Sequence, residues 1–305
     1  MSESASQSVS RETKCDTSKR HGAQAGFWFG VGAHVIWGVV PIYFHAMADV
    51  PPWVVLCHRV VWSVAFLALV ISVRREWPFI GTAMRALRNL GLLSASAVLI
   101  AINWLLFIYA ISSGQALQAS MGYFMNPLLN VALGRIFLGE RLRPWQWVAV
   151  SIALVSVINL GWQGAGFPWL AVSLALSFGF YGLVRKKVDI NSLHALMIES
   201  VILSPLAFVA LMFFSDFAAW RPKFGLLSLS GIITAIPLLL FGAAVRRLKL
   251  STMGFLQYVG PTLQFLVATV VFHEALDRAK LVSFGLCWVA IAVYVADTMM
   301  TRNKE

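Results

Sequence analysis

Two stretches of the chain repeat each other: Pro127–Glu140, with the sequence PLLNVALGRIFLGE, and Pro261–Glu274, with the sequence PTLQFLVATVVFHE. Each begins with a proline, continues with an apolar run and ends with a glutamate. The offset between them is 134 residues throughout, and Leu129 in the first copy matches Leu263 in the second. Recurrence at a fixed offset indicates an internal duplication, with one copy in each half of the chain.

The composition indicates that most of the chain lies in lipid. Hydrophobic residues occupy 59% of the 305 positions and charged residues only 12%, whereas a soluble domain carries about 25% charged residues. The net charge of +11 comes from short basic clusters between apolar blocks, which favours orientation in a membrane over nucleic-acid binding. The three cysteines are widely separated, so no disulfide, metal or other cofactor is expected.

The apolar blocks predict an all-α integral membrane protein with ten transmembrane helices. A helix needs about 20 residues to cross a bilayer, and it satisfies its own backbone groups there. The predicted spans are residues 26–46, 51–73, 90–112, 116–138, 144–161, 167–184, 192–214, 224–245, 251–272 and 280–300. Residues 1–25 are predicted to be a disordered cytosolic tail, residues 301–305 a second cytosolic tail, and residues 74–89 an amphipathic helix in the interface.

Lys and Arg residues are distributed unequally between alternate loops. The loops and tails on the side of the N-terminus hold 18 of them, whereas the opposite loops hold 4, namely Arg221, Lys223, Arg278 and Lys280. Because basic loops remain in the cytoplasm, both termini are expected to be cytoplasmic. The same alternation supports an even number of spans.

The repeated stretches are predicted to run in opposite directions across the membrane, because they fall in the fourth and ninth spans. A second match, Trp37-Gly38 with Phe178-Gly179, has an offset of 141. The chain is therefore predicted to contain two inverted five-helix repeats, residues 26–161 and 162–300, an architecture found in many secondary transporters. The alternative is that each proline and glutamate only kinks or ends its own helix.

Polar side chains at membrane depth are costly, so they mark functional positions. The predicted substrate-binding residues are Arg59, Glu199, Asn103, Tyr123, Asn126, Gln257 and Tyr258. Arg59 and Glu199 are predicted to lie near mid-membrane and to form one polar site, with a purely structural salt bridge as the alternative. Asn126, Gln257 and Tyr258 are predicted to face a central cavity. For the Asn and Gln residues, interhelical hydrogen bonding is the alternative.

Several stretches in both halves carry a family resemblance. They are Trp37–Phe44, His58–Ser63, Asn103-Trp104, Gly122–Pro127, Leu176–Lys186, Pro237–Phe241 and Gln257–Thr262. Together they resemble the EamA-type transporters of the drug/metabolite transporter superfamily, specifically the RarD branch. The resemblance implies ten helices in two inverted repeats and transport of small metabolites or drug-like compounds across the bacterial inner membrane. His45 stands where Lys is usual and Gln118 where Glu is usual, so no coupling role is carried over to them.

The leading interpretation is a secondary carrier (permease) of a small-molecule solute, surrounded by membrane lipid. The sequence contains no GxxxxGK[ST] nucleotide-binding loop, so a proton or an ion would supply any coupling. An enzyme is disfavoured and no catalytic residue is predicted, because His273–Asp277 lacks the second His of HExxH and no GxSxG motif occurs. A channel or a membrane sensor without carrier activity is the remaining alternative.

The predicted topology can be tested by cysteine labelling. In a chain whose native cysteines are replaced by serine, a cysteine at Gln163 is expected to react with an impermeant maleimide only from outside the cell, and a control cysteine at Lys186 only from inside. The charge bias of the loops is the physical reason. Labelling of position 163 only from the cytosolic side would contradict the ten-span topology.

Overall fold

The computed structural model describes residues 2–85, 87–139, 143–160, 162, 167–188, 190–245, 247–248 and 256–302, and the regular secondary structure in these ranges is helical. The helices are α1 (Ser2–His45), α2 (Pro52–Arg74), α3 (Trp77–Arg85), α4 (Leu87–Ser112), α5 (Ala116–Leu138), α6 (Pro144–Leu160), α7 (Trp169–Lys186), α8 (Ser192–Phe214), α9 (Phe217–Trp220), α10 (Phe224–Val245), α11 (Val259–Leu266) and α12 (Arg278–Arg302). Short 3-10 and π-helical segments, Arg221–Lys223 and Val267–Val271, precede α10 and follow α11.

Six helical segments in the described ranges are long and apolar enough to cross a membrane. They are Gln24–His45, Pro52–Arg74, Asn89–Ser112, Ser192–Phe214, Phe217–Ala244 and Arg278–Asp297. Two shorter apolar segments, Pro144–Leu160 and Val259–Val271, accompany them. The all-helical membrane class is confirmed, and each predicted span overlaps a described helix.

The ends of the chain and part of the second repeat differ from expectation or lie outside the described residues. α1 begins at Ser2, and the disordered cytosolic tail expected over residues 1–25 stays a prediction. A polar segment can extend an existing helix because propagation adds one hydrogen bond for each residue fixed. Glu140, Gln163 and residues 251–255 of the predicted ninth span lie outside the described ranges.

The helices form one bundle with defined neighbours. α2 packs against α8 and α10, whereas α4 packs against α7 and α8. α1 packs against α10 and α11, α5 packs against α7 and α11, and α6 packs against α12. Apolar side chains cover the outside: Phe213 on α8 is 79% exposed and Leu206 is 74% exposed. Such a surface suits hydrocarbon rather than water.

Small residues allow the closest approaches between helices. A methyl group placed on Gly38 would lie 2.5 Å from Cβ of Leu263, and one on Gly179 would lie 2.9 Å from Cδ2 of Leu129. α6 and α12 meet through reciprocal hydrogen bonds, in which the hydroxyls of Ser156 and Ser283 donate to each other's backbone carbonyls at 2.9 Å.

Polar contacts define the two ends of the bundle. At one end, Glu76 in the turn after α2 accepts from Nε of Arg74 at 2.9 Å and lies 2.8 Å from Nε2 of His194, near the start of α8. At the opposite end, Nζ of Lys223 donates to the Asp49 carboxylate at 2.6 Å. We call these the Glu76 end and the Asp49 end.

The Glu274 carboxylate, after α11, lies at the Asp49 end of the bundle. It accepts hydrogen bonds from the backbone N–H groups of Ala116 at 2.5 Å and Leu117 at 2.9 Å. These groups begin α5, where backbone donors have no intrahelical partner. His45, at the end of α1, stacks on Phe272 with 4.4 Å between ring centroids. The α11–α12 loop therefore packs against the ends of both α1 and α5.

The α2–α10 contact predicts a strong effect for one glycine substitution. A methyl group on Gly231 would lie 2.2 Å from the backbone carbonyl carbon of Trp62, so Gly231→Ala must separate the two helices. We expect a loss of about 1–3 kcal/mol in stability, measured by thermal unfolding in detergent. The matched control is Gly285→Ala in the interior of α12, where no atom lies within 4 Å of the added methyl group. Equal melting temperatures for the two variants would contradict the packing.

Candidate functional site

Arg59 on α2 lies inside the bundle, with 8% of its surface exposed. Its guanidinium carbon is 4.1 Å from the centroid of the Trp104 ring and 5.4 Å from that of Phe44. The faces of aromatic rings attract cations. The buried Nε atom of Arg59 has no hydrogen-bond partner among the described residues. The guanidinium therefore lies in an aromatic environment that leaves a donor available.

Asn103 and Tyr123 connect three helices close to Arg59. The side-chain amide of Asn103 on α4 donates to the carbonyl of Leu174 and to the hydroxyl of Ser177 on α7, both at 3.0 Å. The hydroxyl of Tyr123 on α5 donates to the Asn103 side-chain carbonyl at 3.1 Å. Tyr123 is also close enough to Arg59 to interact electrostatically with it. These bonds position the Tyr123 ring beside the guanidinium.

Glu199 on α8 is only 1% exposed and has its own set of partners. Its carboxylate accepts from the hydroxyl of Ser96 on α4 at 2.5 Å and from that of Tyr181 on α7 at 3.4 Å. Nε of Arg185 lies 3.8 Å from the same carboxylate. Tyr181 and Arg185 are four residues apart, so they share one face of α7.

Glu199 pairs with Arg185 rather than with Arg59, so the alternative of a direct Arg59–Glu199 salt bridge is not observed, and their shared polar site stays a prediction. α2 and α8 have 23 residues each, a length of about 34 Å at 1.5 Å per residue. α2 begins at the Asp49 end and α8 at the Glu76 end, so each residue lies about 10 Å from a different end. Their separation along the bundle is therefore about 13 Å, too great for the two side chains to meet.

A row of aromatic rings fills the distance between the two charged residues. Neighbouring ring centroids are 5.7 to 6.1 Å apart, in the order Phe44, Phe107, Tyr123, Phe178 and Tyr181. This aromatic row begins beside Arg59 and ends at the Tyr181 hydroxyl on Glu199. Its rings are apolar, and its two hydroxyl groups donate to Asn103 and Glu199.

No described hydrogen bond joins the three other predicted binding residues to Arg59 or Glu199. Asn126 is 6% exposed, and its Oδ1 atom has no partner within the described ranges. The hydroxyl of Tyr258 is likewise without a described partner, and its ring packs against the main apolar core. Gln257 is half-buried in the turn before α11. Their role in binding stays a prediction.

Glu76 and Glu274 lie at opposite ends of the bundle, and their pKa values are shifted in opposite directions. Burial raises the pKa of Glu76, but the hydrogen bond with His194 and the charge of Arg74 outweigh this, so the net pKa is lowered. Burial raises the pKa of Glu274 above its ordinary value, although the N–H groups of Ala116 and Leu117 act in the opposite direction. Glu274 therefore takes up a proton at a higher pH than Glu76.

The sequence interpretation missed Ser96, Tyr181 and Arg185 as partners of Glu199. Arg185 was assigned only to the basic loops, although its spacing of four from Tyr181 placed both on one face of a helix. No sequence signal pointed to Ser96, because its contact with Glu199 spans 103 residues of chain. In the part of the chain that the structure describes, no cluster of three His, Cys, Asp or Glu side chains could hold a metal ion.

The bundle, with its apolar outer surface and buried charges, has the architecture of a multi-pass membrane protein. Residues 24–162 match the EamA-like transporter family. The chain is 42% identical to Protein RarD of Escherichia coli (strain K12), over 92% of this chain and 96% of that protein. It is 32% identical to the Chloramphenicol-sensitive protein RarD of Pseudomonas aeruginosa, over 92% of this chain and 96% of that protein.

A solved crystal structure of another protein shares the fold, with a TM-score of 0.58 at 18% identity, and the match covers 92% of this chain and 99% of that one. The chain belongs to the EamA-like transporter family and, within it, to the RarD branch. The family resemblance inferred from the sequence is thereby confirmed, and the protein is a membrane transporter.

The pairing of Glu199 with Arg185 can be tested by double-mutant cycles. Arg185→Gln leaves a buried carboxylate without its charged partner, and we expect it to cost about 1–3 kcal/mol. Adding Glu199→Gln should recover part of this loss, since both charges are then absent. The control cycle, Arg59→Gln with Glu199→Gln, should be additive because these residues are not in contact. Thermal unfolding measures both cycles, and coupling only in the control cycle would contradict the pairing.

Proposed function

We propose that the chain is an inner-membrane secondary transporter of a small metabolite or drug-like solute, with ten spanning helices arranged as two inverted five-helix repeats. The observation that carries this proposal is the symmetry of the helix contacts. The two repeats are related by exchanging equivalent helices: α1 with α7, α2 with α8, α4 with α10, α5 with α11 and α6 with α12. The contact of α1 with α10 then becomes that of α7 with α4, and the contact of α2 with α10 becomes that of α8 with α4.

The remaining main contacts obey the same exchange. The contact of α1 with α11 becomes that of α7 with α5, and the pairs α2–α8, α5–α11 and α6–α12 map onto themselves. A two-fold relation between the halves produces this pattern, whereas two unrelated five-helix units would have no reason to do so.

Individual residues support the same relation. Gly38 and Gly179 are matched in sequence, as are Leu129 and Leu263. Gly38 packs against Leu263 and Gly179 packs against Leu129, so each glycine contacts the leucine from the other half of the chain. Prolines and glutamates that only kink or end their own helices would not produce such reciprocal contacts. Each of these contacts thus joins one helix from each half. In such an arrangement the halves can rock about a central site.

The orientation follows from the charge bias. The loops around residues 46–51 and 215–223 meet through Asp49 and Lys223, and the loops around 113–115 and 272–277 meet through Glu274. In the sequence, these four loops belong to the group of alternate loops that contains few Lys and Arg residues. The Asp49 end is therefore assigned to the outside of the bacterial inner membrane and the Glu76 end, with both termini, to the cytoplasm.

In this proposal the solute binds along the aromatic row between Arg59 and Glu199, where residues of both repeats meet. Asn103 and Tyr123 position the site, and Asn126, Gln257 and Tyr258 are the further binding residues. A coupling proton or ion would be exchanged at Glu199, the buried carboxylate nearest the row. Opening the site to each side in turn would then move the solute without nucleotide hydrolysis.

Counterflow in proteoliposomes tests the carrier proposal. Vesicles are loaded with an unlabelled solute, diluted, and supplied with the labelled form; the panel includes chloramphenicol, for whose sensitivity one relative is named. A carrier is expected to give saturable uptake with a transient accumulation above equilibrium, because unlabelled solute leaves on the same site. The controls are proteoliposomes that contain no unlabelled solute and loaded vesicles that contain no protein. Non-saturating flux without accumulation would indicate a channel, and no flux for any solute would favour a sensor.

A further inference from the structure

Arg59 is a buried cation for which the described residues supply no counterion. Every acidic side chain that the structure describes has another hydrogen-bond or ion-pair partner: Asp49, Glu76, Glu199, Asp216, Glu274, Asp277 and Asp297. The ring centroids of Trp104 and Phe44 lie 4.1 and 5.4 Å from the guanidinium carbon. The hydroxyls of Tyr43 and Tyr123 lie close enough to interact electrostatically, but they donate their protons to Leu226 and Asn103.

Aromatic rings stabilise a guanidinium through its flat face but do not accept its N–H groups. An arginine has five N–H donors directed outward in the plane of the guanidinium. Trp104 lies 4.1 Å from the guanidinium carbon, so the ring occupies a face and leaves the edge of the fork available. The Nε donor at that edge is buried and without a described acceptor. A buried guanidinium with an unpaired donor is costly, so a hydrogen-bond acceptor from outside the protein must complete the site.

We infer that the solute is a small organic carboxylate, whose carboxylate group binds the Nε edge of Arg59 while its apolar body packs along the aromatic row. This inference rests on the proposed transport function and specifies the class of solute. The guanidinium fork matches a carboxylate in two parallel hydrogen bonds. One arginine without a second cationic partner suits a single negative charge rather than a phosphate group, which carries nearly two.

The apolar part of the site sets the second half of the solute's chemistry. Phe44, Phe107 and Tyr123 follow one another from the guanidinium inward, with ring centroids 6.0 and 5.7 Å apart. Aromatic solutes pack on such rings in edge-to-face or offset arrangements. An arylcarboxylate or arylalkanoate therefore fits both the charge and the surface, whereas its neutral amide fits the surface alone.

The test uses acid and amide pairs of nearly the same shape: benzoate with benzamide, and phenylacetate with phenylacetamide. Thermal unfolding of the purified full chain is measured with each compound. The acids are expected to raise the melting temperature, since a ligand that binds only the folded state stabilises it, and the amides are not. Equal shifts for acid and amide, or no shift with either acid, would overturn the inference.

Substitutions of the arginine identify the site. Arg59→Gln should weaken binding of the acids about 30-fold or more, as expected for loss of one member of a buried charge pair, and Arg59→Lys should give an intermediate affinity because it keeps the charge without the planar fork. The control is Arg221→Gln, which removes one positive charge outside the bundle core and should leave binding unchanged. Retention of acid binding in Arg59→Gln would overturn the inference.

The ligand-free melting temperature of Arg59→Gln gives a second and independent readout. If the guanidinium awaits an external carboxylate, the empty site contains an unpaired charge, and the neutral variant should be at least as stable as the wild type. A purely structural arginine would give a less stable variant, which would contradict the inference.

Counterflow with the same compounds separates this inference from the carrier proposal. If the acids bind through Arg59 but cross the vesicle membrane only by non-saturating flux without accumulation, the carboxylate site stands and the carrier proposal fails. If the amides accumulate and the acids do not, the carrier proposal stands and the carboxylate inference fails.

Discussion

Close approach of helix backbones at small residues is the interaction on which the bundle depends. In a bilayer the hydrophobic effect does not drive one apolar helix onto another, so van der Waals contact and interhelical hydrogen bonds must do so. The backbone of Gly231 against Trp62 unites α10 with α2, and the glycines at 38 and 179 accept leucines from α11 and α5. Because these contacts bring helices from the two halves together, they also fix where the buried polar side chains can meet.

The two charges at membrane depth illustrate different solutions to the same energetic problem. A charge in the interior is costly unless it is paired or hydrogen-bonded. Glu199 is satisfied within the protein by Ser96, Tyr181 and Arg185, so it can lie 1% exposed. Arg59 has the ring faces of Trp104 and Phe44 beside its guanidinium and no described acidic partner. The first arrangement is complete without a ligand, and the second leaves donor capacity for one.

Much of the architecture could be predicted because a bilayer restricts what a sequence can do. The spans around residues 52–74 and 192–214 were predicted within one residue of the helices, since apolar length is read directly from sequence. The partner of Glu199, Arg185, was not predictable by the same means. Arg59 and Glu199 each lie about 10 Å from the start of their own helix, but these starts lie at opposite ends of the bundle. The number of residues from the start of a helix gives the depth of a side chain below that end, but it does not identify which side chain of another helix lies beside it.

The sequence by itself determined the membrane class, the family, the approximate helix bounds and the internal match between the two halves, because each of these follows from residue type and spacing along one chain. The tertiary structure alone decided which side chains touch. Ser96 reaches Glu199 across 103 residues of chain, and Leu263 contacts Gly38 from the opposite half of the chain. Such contacts depend on helix rotation and on packing distances of a few ångströms, which the pattern of a single helix does not contain.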